Sequence, residues 1–172
     1  MTHSSRDGYK ATALGGLTYS AHYEMVIASP IKRVWQHMLN YHDWNPDHKG
    51  ARVERLAGEP NQEGETILEY KKMPEGYAPP IIIETVKVLP ERQIVWALYA
   101  PESGASKGIG FVDFSLTDRG GQTGFLYNCY GWMSHDTYGS DRASLDRIIV
   151  EQTARLLPEL KAYVESAPGD RD

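Results

Sequence analysis

A chain of 172 residues is long enough for one domain with a sizeable core, so one fold is expected to account for nearly all of it. Its formal net charge of -5 argues against a nucleic-acid surface or a polybasic membrane face, because both need Lys and Arg to neutralise phosphates. Cys129 is the only cysteine, which excludes an internal disulfide and a cysteine-based zinc or iron–sulfur centre.

In chain order, residues 1–17 are small, polar and Gly-containing and read as a loose leader. They lack the apolar core of a signal peptide. No later apolar run approaches the roughly 18 residues of a membrane span, so a cytoplasmic protein with no integral membrane association is expected. TYSAHYEMVIAS then alternates: Tyr19, Ala21, Tyr23, Met25 and Ile27 share one face of a first strand, with Ser20, His22 and Glu24 on the other. SPIKRVWQHML carries helix-start signals, Ser29 as a cap and Pro30 at the first helical position, where its missing N–H costs nothing. Ile31, Val34, Trp35, Met38 and Leu39 recur at helical spacing and form its buried stripe, with Trp35 as a core anchor.

Five further strands are predicted in ARVERLA, ETILEYKK, PIIIETVKVL, RQIVWALYA and GIGFVDFSLT, separated by GEPNQEG, MPEGYAP, LPER and PESGASKG, which supply loop residues at the intervals of a meander. A seventh, TGFLYNCYGWM, follows the turn DRGGQ. No parallel βαβ rhythm is present, so the fold class is α+β with an antiparallel sheet. SDRASLDRIIVEQTARLLPELKAYVES closes the domain as a long helix, with a bend or break expected near Ala154 to Pro158, and residues 167–172 are a tail.

This order of strand, short helices, six strands and long helix, with Ser-Pro-x-x-x-Val-Trp at the first helix, Trp44, Gly58 and the turn before the last strand, resembles the START-like superfamily called SRPBCC. Within it, the polyketide cyclase/dehydrase and lipid-transport grouping is the most similar. The resemblance covers about residues 18–166 and implies a helix-grip fold: a curved seven-stranded sheet wrapped around the C-terminal helix, with an apolar cavity between them. It implies Leu145, Ile149, Gln152 and Leu156 on the helical wall of that cavity. Tyr23, Tyr70, Trp96, Phe111 and Tyr127 are the candidates for the sheet wall.

Eleven Tyr and four Trp against three Phe suit a pocket for an oxygenated aromatic ligand, since those side chains join an apolar body to one polar handle. YHDWNPDHKG places His42, Asp47 and His48 close together, weak candidates for a metal, but a solvated loop near the cavity entrance is the better reading of this run. Glu69, Glu84 and Asp113 lie inside predicted strands, where a carboxylate facing a cavity acquires the raised pKa of a general acid. Glu84 shares its face with Ile82, Val86 and Val88, and Asp113 with Ile109, Phe111 and Ser115, so these two are preferred over Glu69. Tyr127 and His135 complete the catalytic candidates. The absence of a P-loop, a dinucleotide Gly motif, a Gly-x-Ser-x-Gly elbow and His-Glu-x-x-His leads to an expectation of no cofactor.

The leading functional expectation is binding, as carrier or sensor, of a small hydrophobic or aromatic ligand in the internal cavity. The alternative is a cyclase, aromatase or dehydratase using acid–base groups there, and a third is an interaction module like the superfamily's chaperone activators. Oligomeric state is not legible in the sequence.

Overall fold

The computed structural model describes the backbone of residues 3–6, 9–15, 18–99, 108–132 and 142–166, and the side chains of residues 20–99, 110–131, 151 and 154–166. The seven expected strands are present as β3 (Thr18–Ile27), β4 (Arg52–Ala57), β5 (Thr66–Tyr70), β8 (Ile81–Leu89), β9 (Gln93–Tyr99), β10 (Gly108–Asp118) and β11 (Thr123–Trp132). All pair antiparallel with their neighbours. Residues expected to form a loose leader instead contain β1 (His3–Arg6) and β2 (Tyr9–Gly15), which extend the sheet beyond β3. The resulting order is β1-β2-β3-β11-β10-β9-β8-β5-β4, so β4 forms one edge. A short hairpin of β6 (Lys72–Met73) and β7 (Gly76–Tyr77) stands apart.

Three helices complete the described chain: α1 (Ile31–Leu39), α2 (Tyr41–Trp44) and α3 (Arg142–Ser166). The predicted stripe of α1 is its buried face, with Val34, Trp35 and Met38 in the core and Ile31 and Leu39 packed against it. Its start differs from the expectation. Pro30 is itself the cap residue, its carbonyl accepting the N–H groups of Arg33 and Val34, and no side chain caps the helix. Ser29 is buried and serves through its backbone, its carbonyl accepting the Thr123 hydroxyl at 2.7 Å.

α3 runs uninterrupted through Pro158, which corrects the expected break. Pro158 faces solvent, where water can satisfy the carbonyl that loses its intrahelical partner, while Leu156, Leu157, Leu160 and Val164 hold the opposite side in the core. The C-terminal end of α3 is tied down by Glu165, which accepts the Ala28 N–H at 2.9 Å, and by the Val164 carbonyl, which accepts from Arg33 at 3.4 Å.

The inner face of the sheet is set by alternation. On β10 it comprises Val112, Phe114 and Leu116, and on β11 Thr123, Phe125, Tyr127 and Cys129. Phe114 is the hub, its ring 5.3 Å from Trp96, 5.6 Å from Phe125 and 5.4 Å from Tyr127. Truncating a ring this deep leaves a cavity and typically costs about 3–5 kcal/mol.

Candidate functional site

The segment joining α1 to β4 crosses the open half of the sheet and presents three rings to it. Its conformation is held locally: Trp44 is buried and donates its indole N–H to the Met38 carbonyl at 3.0 Å, and buried Asn45 accepts the Asp47 N–H through its side-chain oxygen at 3.0 Å. The Asn45 carbonyl also accepts the N–H of His48. These contacts place Tyr41, His42 and His48 side by side, with the Tyr41 ring 5.7 Å from His42, 4.8 Å from His48 and 5.2 Å from Trp96.

Facing these rings across the sheet is Glu69 of β5, a carboxylate only 1% exposed. Its two oxygens are divided between the histidines: Oε2 lies 2.7 Å from His42 Nε2, and Oε1 makes a short contact with His48 Nδ1. Burial pushes the Glu69 carboxyl up, but the hydrogen bonds from His42 and His48, with the charge that each imidazole carries when protonated, outweigh it and hold the group down at about 2. Glu69 is therefore an ionised, fully paired acceptor. Tyr41 behaves in the opposite way: burial first, and the Glu69 charge second, push its phenol well above its ordinary range and keep it protonated.

Between these groups and the sheet lies a cavity of about 280 Å³. Ile67, Ile83, Trp96, Leu98 and Val112 from β5, β8, β9 and β10 form its apolar wall, and Leu39, Tyr41, His42 and His48 close the other side. Its rim is the β4–β5 connection, where Arg55 pairs with Glu65 at 3.1 Å and Glu65 also accepts the Asn61 N–H at 2.6 Å. Gly58 makes this connection possible. Its φ is +75°, and a Cβ there would lie 2.6 Å from the Glu65 backbone, closer than side chains tolerate.

The expected site residues divide unevenly over this geometry. Of the proposed sheet wall, Trp96 lines the cavity. Tyr127 and Tyr23 belong to the core and its margin, away from the cavity lining. Tyr70 lies on the outer face beneath the Arg52 guanidinium, 4.4 Å from its ring centre, and Phe111 is 47% exposed, because Glu69 and Val112 take the inward positions on those strands. Glu84 falls between the cavity residues Ile83 and Thr85 and so points to the opposite face. Asp113 also faces outward, accepting from Gln93 and Ser115 at 3.0 Å each. The preferred carboxylates are thus turned away from the cavity, and the one passed over is at its polar end.

Leu156 packs in the core, and no described residue of α3 lines the cavity. The side chains of Leu145, Ile149 and Gln152, and all of His135, lie outside the described residues. The cavity expected against the C-terminal helix is formed, among the described residues, against α1, α2 and the loop that follows. Asp47 does not join His42 and His48 as a ligand set; it turns to Arg155 of α3 and to Lys71, 3.8 Å away. Among the described residues no group of three or more His, Cys, Asp and Glu is placed to hold a metal ion.

No protein-family model matches the sequence, and no curated protein matches it. Solved structures do. Protein CV1439 from Chromobacterium violaceum superposes with a TM-score of 0.64 at 14% identity, covering 86% of this chain and 98% of that one. The Zhui aromatase/cyclase from Streptomyces sp. R1128 gives 0.61 at 12% identity, covering 86% and 94%. Ara h 8.0201 gives 0.65 at 8% identity, covering 87% and 99%. The chain has the helix-grip fold. Among the described residues of this helix-grip protein, the short helices and strands β5, β8, β9 and β10 line the cavity, while Leu156, Leu157, Leu160 and Val164 of α3 pack in the core. No helix of the described residues is long and apolar enough to cross a membrane.

Proposed function

We propose that this helix-grip protein binds a small hydrophobic or aromatic molecule in the cavity between the α1–α2 segment and β5, β8, β9 and β10. The observation carrying this reading is the lining: aliphatic side chains and Trp96 on one side, and His42 and His48 at a polar end. Such a surface removes apolar area from water while a few polar groups fix orientation. At about 280 Å³ the space lies just below the roughly 300–1,000 Å³ usual for ligand pockets, which favours a one- or two-ring molecule over an extended polycycle. The similarity in fold to an aromatase/cyclase supports the same class of ligand.

Leu98→Trp, which fills the cavity from its apolar wall, tests the reading. Calorimetric titration with 1-naphthol should show saturable binding to the natural protein and at least tenfold weaker binding to the variant, with unchanged far-ultraviolet circular dichroism. Equal affinity for both proteins would place the ligand elsewhere. A second reading, acid–base catalysis of the cyclase or dehydratase kind, is favoured by the carboxylate held between two cavity-lining imidazoles, an arrangement in which an orienting acid holds a base against substrate.

A further inference from the structure

We infer that His42, His48 and Glu69 form a proton-accepting site for a phenolic or enolic hydroxyl on the cavity's ligand, an inference that rests on the ligand-binding reading above. An ionised carboxylate has no hydrogen to donate, so both contacts to Glu69 are N–H donations from the imidazoles. This fixes their tautomers. Neutral His42 carries its proton on Nε2 and leaves a lone pair on Nδ1; neutral His48 carries its proton on Nδ1 and leaves a lone pair on Nε2. Among the described residues neither of these second nitrogens has a further hydrogen bond, and both rings line the cavity.

A ligand in the cavity that reaches these nitrogens meets two acceptors. A ketone or ether oxygen would set lone pair against lone pair there, whereas a hydroxyl can donate. Tyr41 and Trp96, with ring centres 5.2 Å apart, provide aromatic surface beside the pair for the ring bearing that hydroxyl. In the transfer, the ligand O–H bond breaks, an N–H bond forms on the imidazole, and the electron pair remains on the ligand oxygen. The imidazolium so formed lies between two anions, Glu69 and the new phenolate, so the buried carboxylate stabilises the charge that the transfer creates.

The surrounding charges do not compete for this role. On α2 Tyr41 stays protonated and Asp43 precedes the buried Trp44; in the following loop Asp47 is engaged by Arg155 of α3 and by Lys71. Lys49 lies in the exposed end of that loop. At the rim the cation of Arg55 is paired with Glu65. Glu69 is left to the two histidines.

The probe is 7-hydroxycoumarin, whose phenol and phenolate absorb at different wavelengths, with 7-methoxycoumarin as the analogue lacking the proton. On the full chain, the bound phenol should ionise at least one pH unit lower than in free solution, and the methoxy analogue should bind at least tenfold more weakly. Glu69→Gln and the double variant His42→Gln/His48→Gln should each abolish the ionisation shift while still binding the methoxy analogue; if Glu69→Gln does not fold, the double variant carries the test. Equal binding of the two coumarins, with the bound phenol ionising as in water, overturns the inference and leaves the ligand-binding reading intact. Failure of both coumarins and of 1-naphthol to bind overturns both.

Discussion

At Glu69 a buried carboxylate is held ionised by the two imidazoles that bond its oxygens. Thr66–Tyr70 reads TILEY, apolar on both faces, so alternation does not say whether Glu69 goes in with Ile67 or Tyr70 goes in with Leu68. What decides is the pair of histidines, 27 and 21 positions earlier in the chain, which only the fold brings to the carboxylate. The clustering of His42 and His48 was legible; their shared partner was not. Because the folded carboxyl sits at about 2, below its ordinary 4.5, its ionised form favours the folded state. That contribution is complete above about pH 4.5, shrinks as pH falls through the interval, and is gone below about 2. Urea unfolding of the natural protein and Glu69→Gln should therefore give midpoints that differ at pH 6 and converge near pH 2. Removing both donors strands the charge: His42→Ala/His48→Ala should lose about 3–5 kcal/mol of stability at pH 7, measured by the same denaturation.

At the scale of elements, the seven strands from β3 onward that form the main sheet and the helices followed from period and turn chemistry, while β1, β2, the β6–β7 hairpin and the choice of inward face did not. β10 illustrates the reason. Phe111 and Phe114 are both large and apolar, and they fall on opposite faces, so the pattern supports either orientation until Trp96 and Phe125 fix Phe114 inside. The cap at α1 was misplaced by one residue because Ser29 is drawn to Thr123. Thr123→Val leaves that buried carbonyl without its donor and should cost about 1–3 kcal/mol, read as a lowered thermal midpoint. Pro158 stands on the exposed side of a continuous helix, so Pro158→Ala restores an N–H without disturbing the core and should raise stability by on the order of 1–3 kcal/mol with ligand affinity unchanged. Gly58→Ala forces a side chain into the Glu65 backbone at positive φ; the β4–β5 rim should distort, and 1-naphthol affinity should fall more than stability does.

For the whole molecule, the order of elements carried the architecture. A meander of strands closed by a long amphipathic helix has few ways to bury its apolar faces, and the resemblance read from SPIKRVW and the element order leads to the fold that the structure adopts. The cavity's position was harder to read, since it depends on how far the α1–β4 segment stands off the sheet, a distance set by Trp44, Asn45 and the Glu69 contacts together. The proposed ligand binding depends on that space being occupied. A crystal structure of the complex with 7-hydroxycoumarin should show the ring against Trp96 and Ile83, with its oxygen within hydrogen-bonding distance of His42 or His48. A saturated crystal with this cavity empty, or with the coumarin seated against α3 instead, would contradict it.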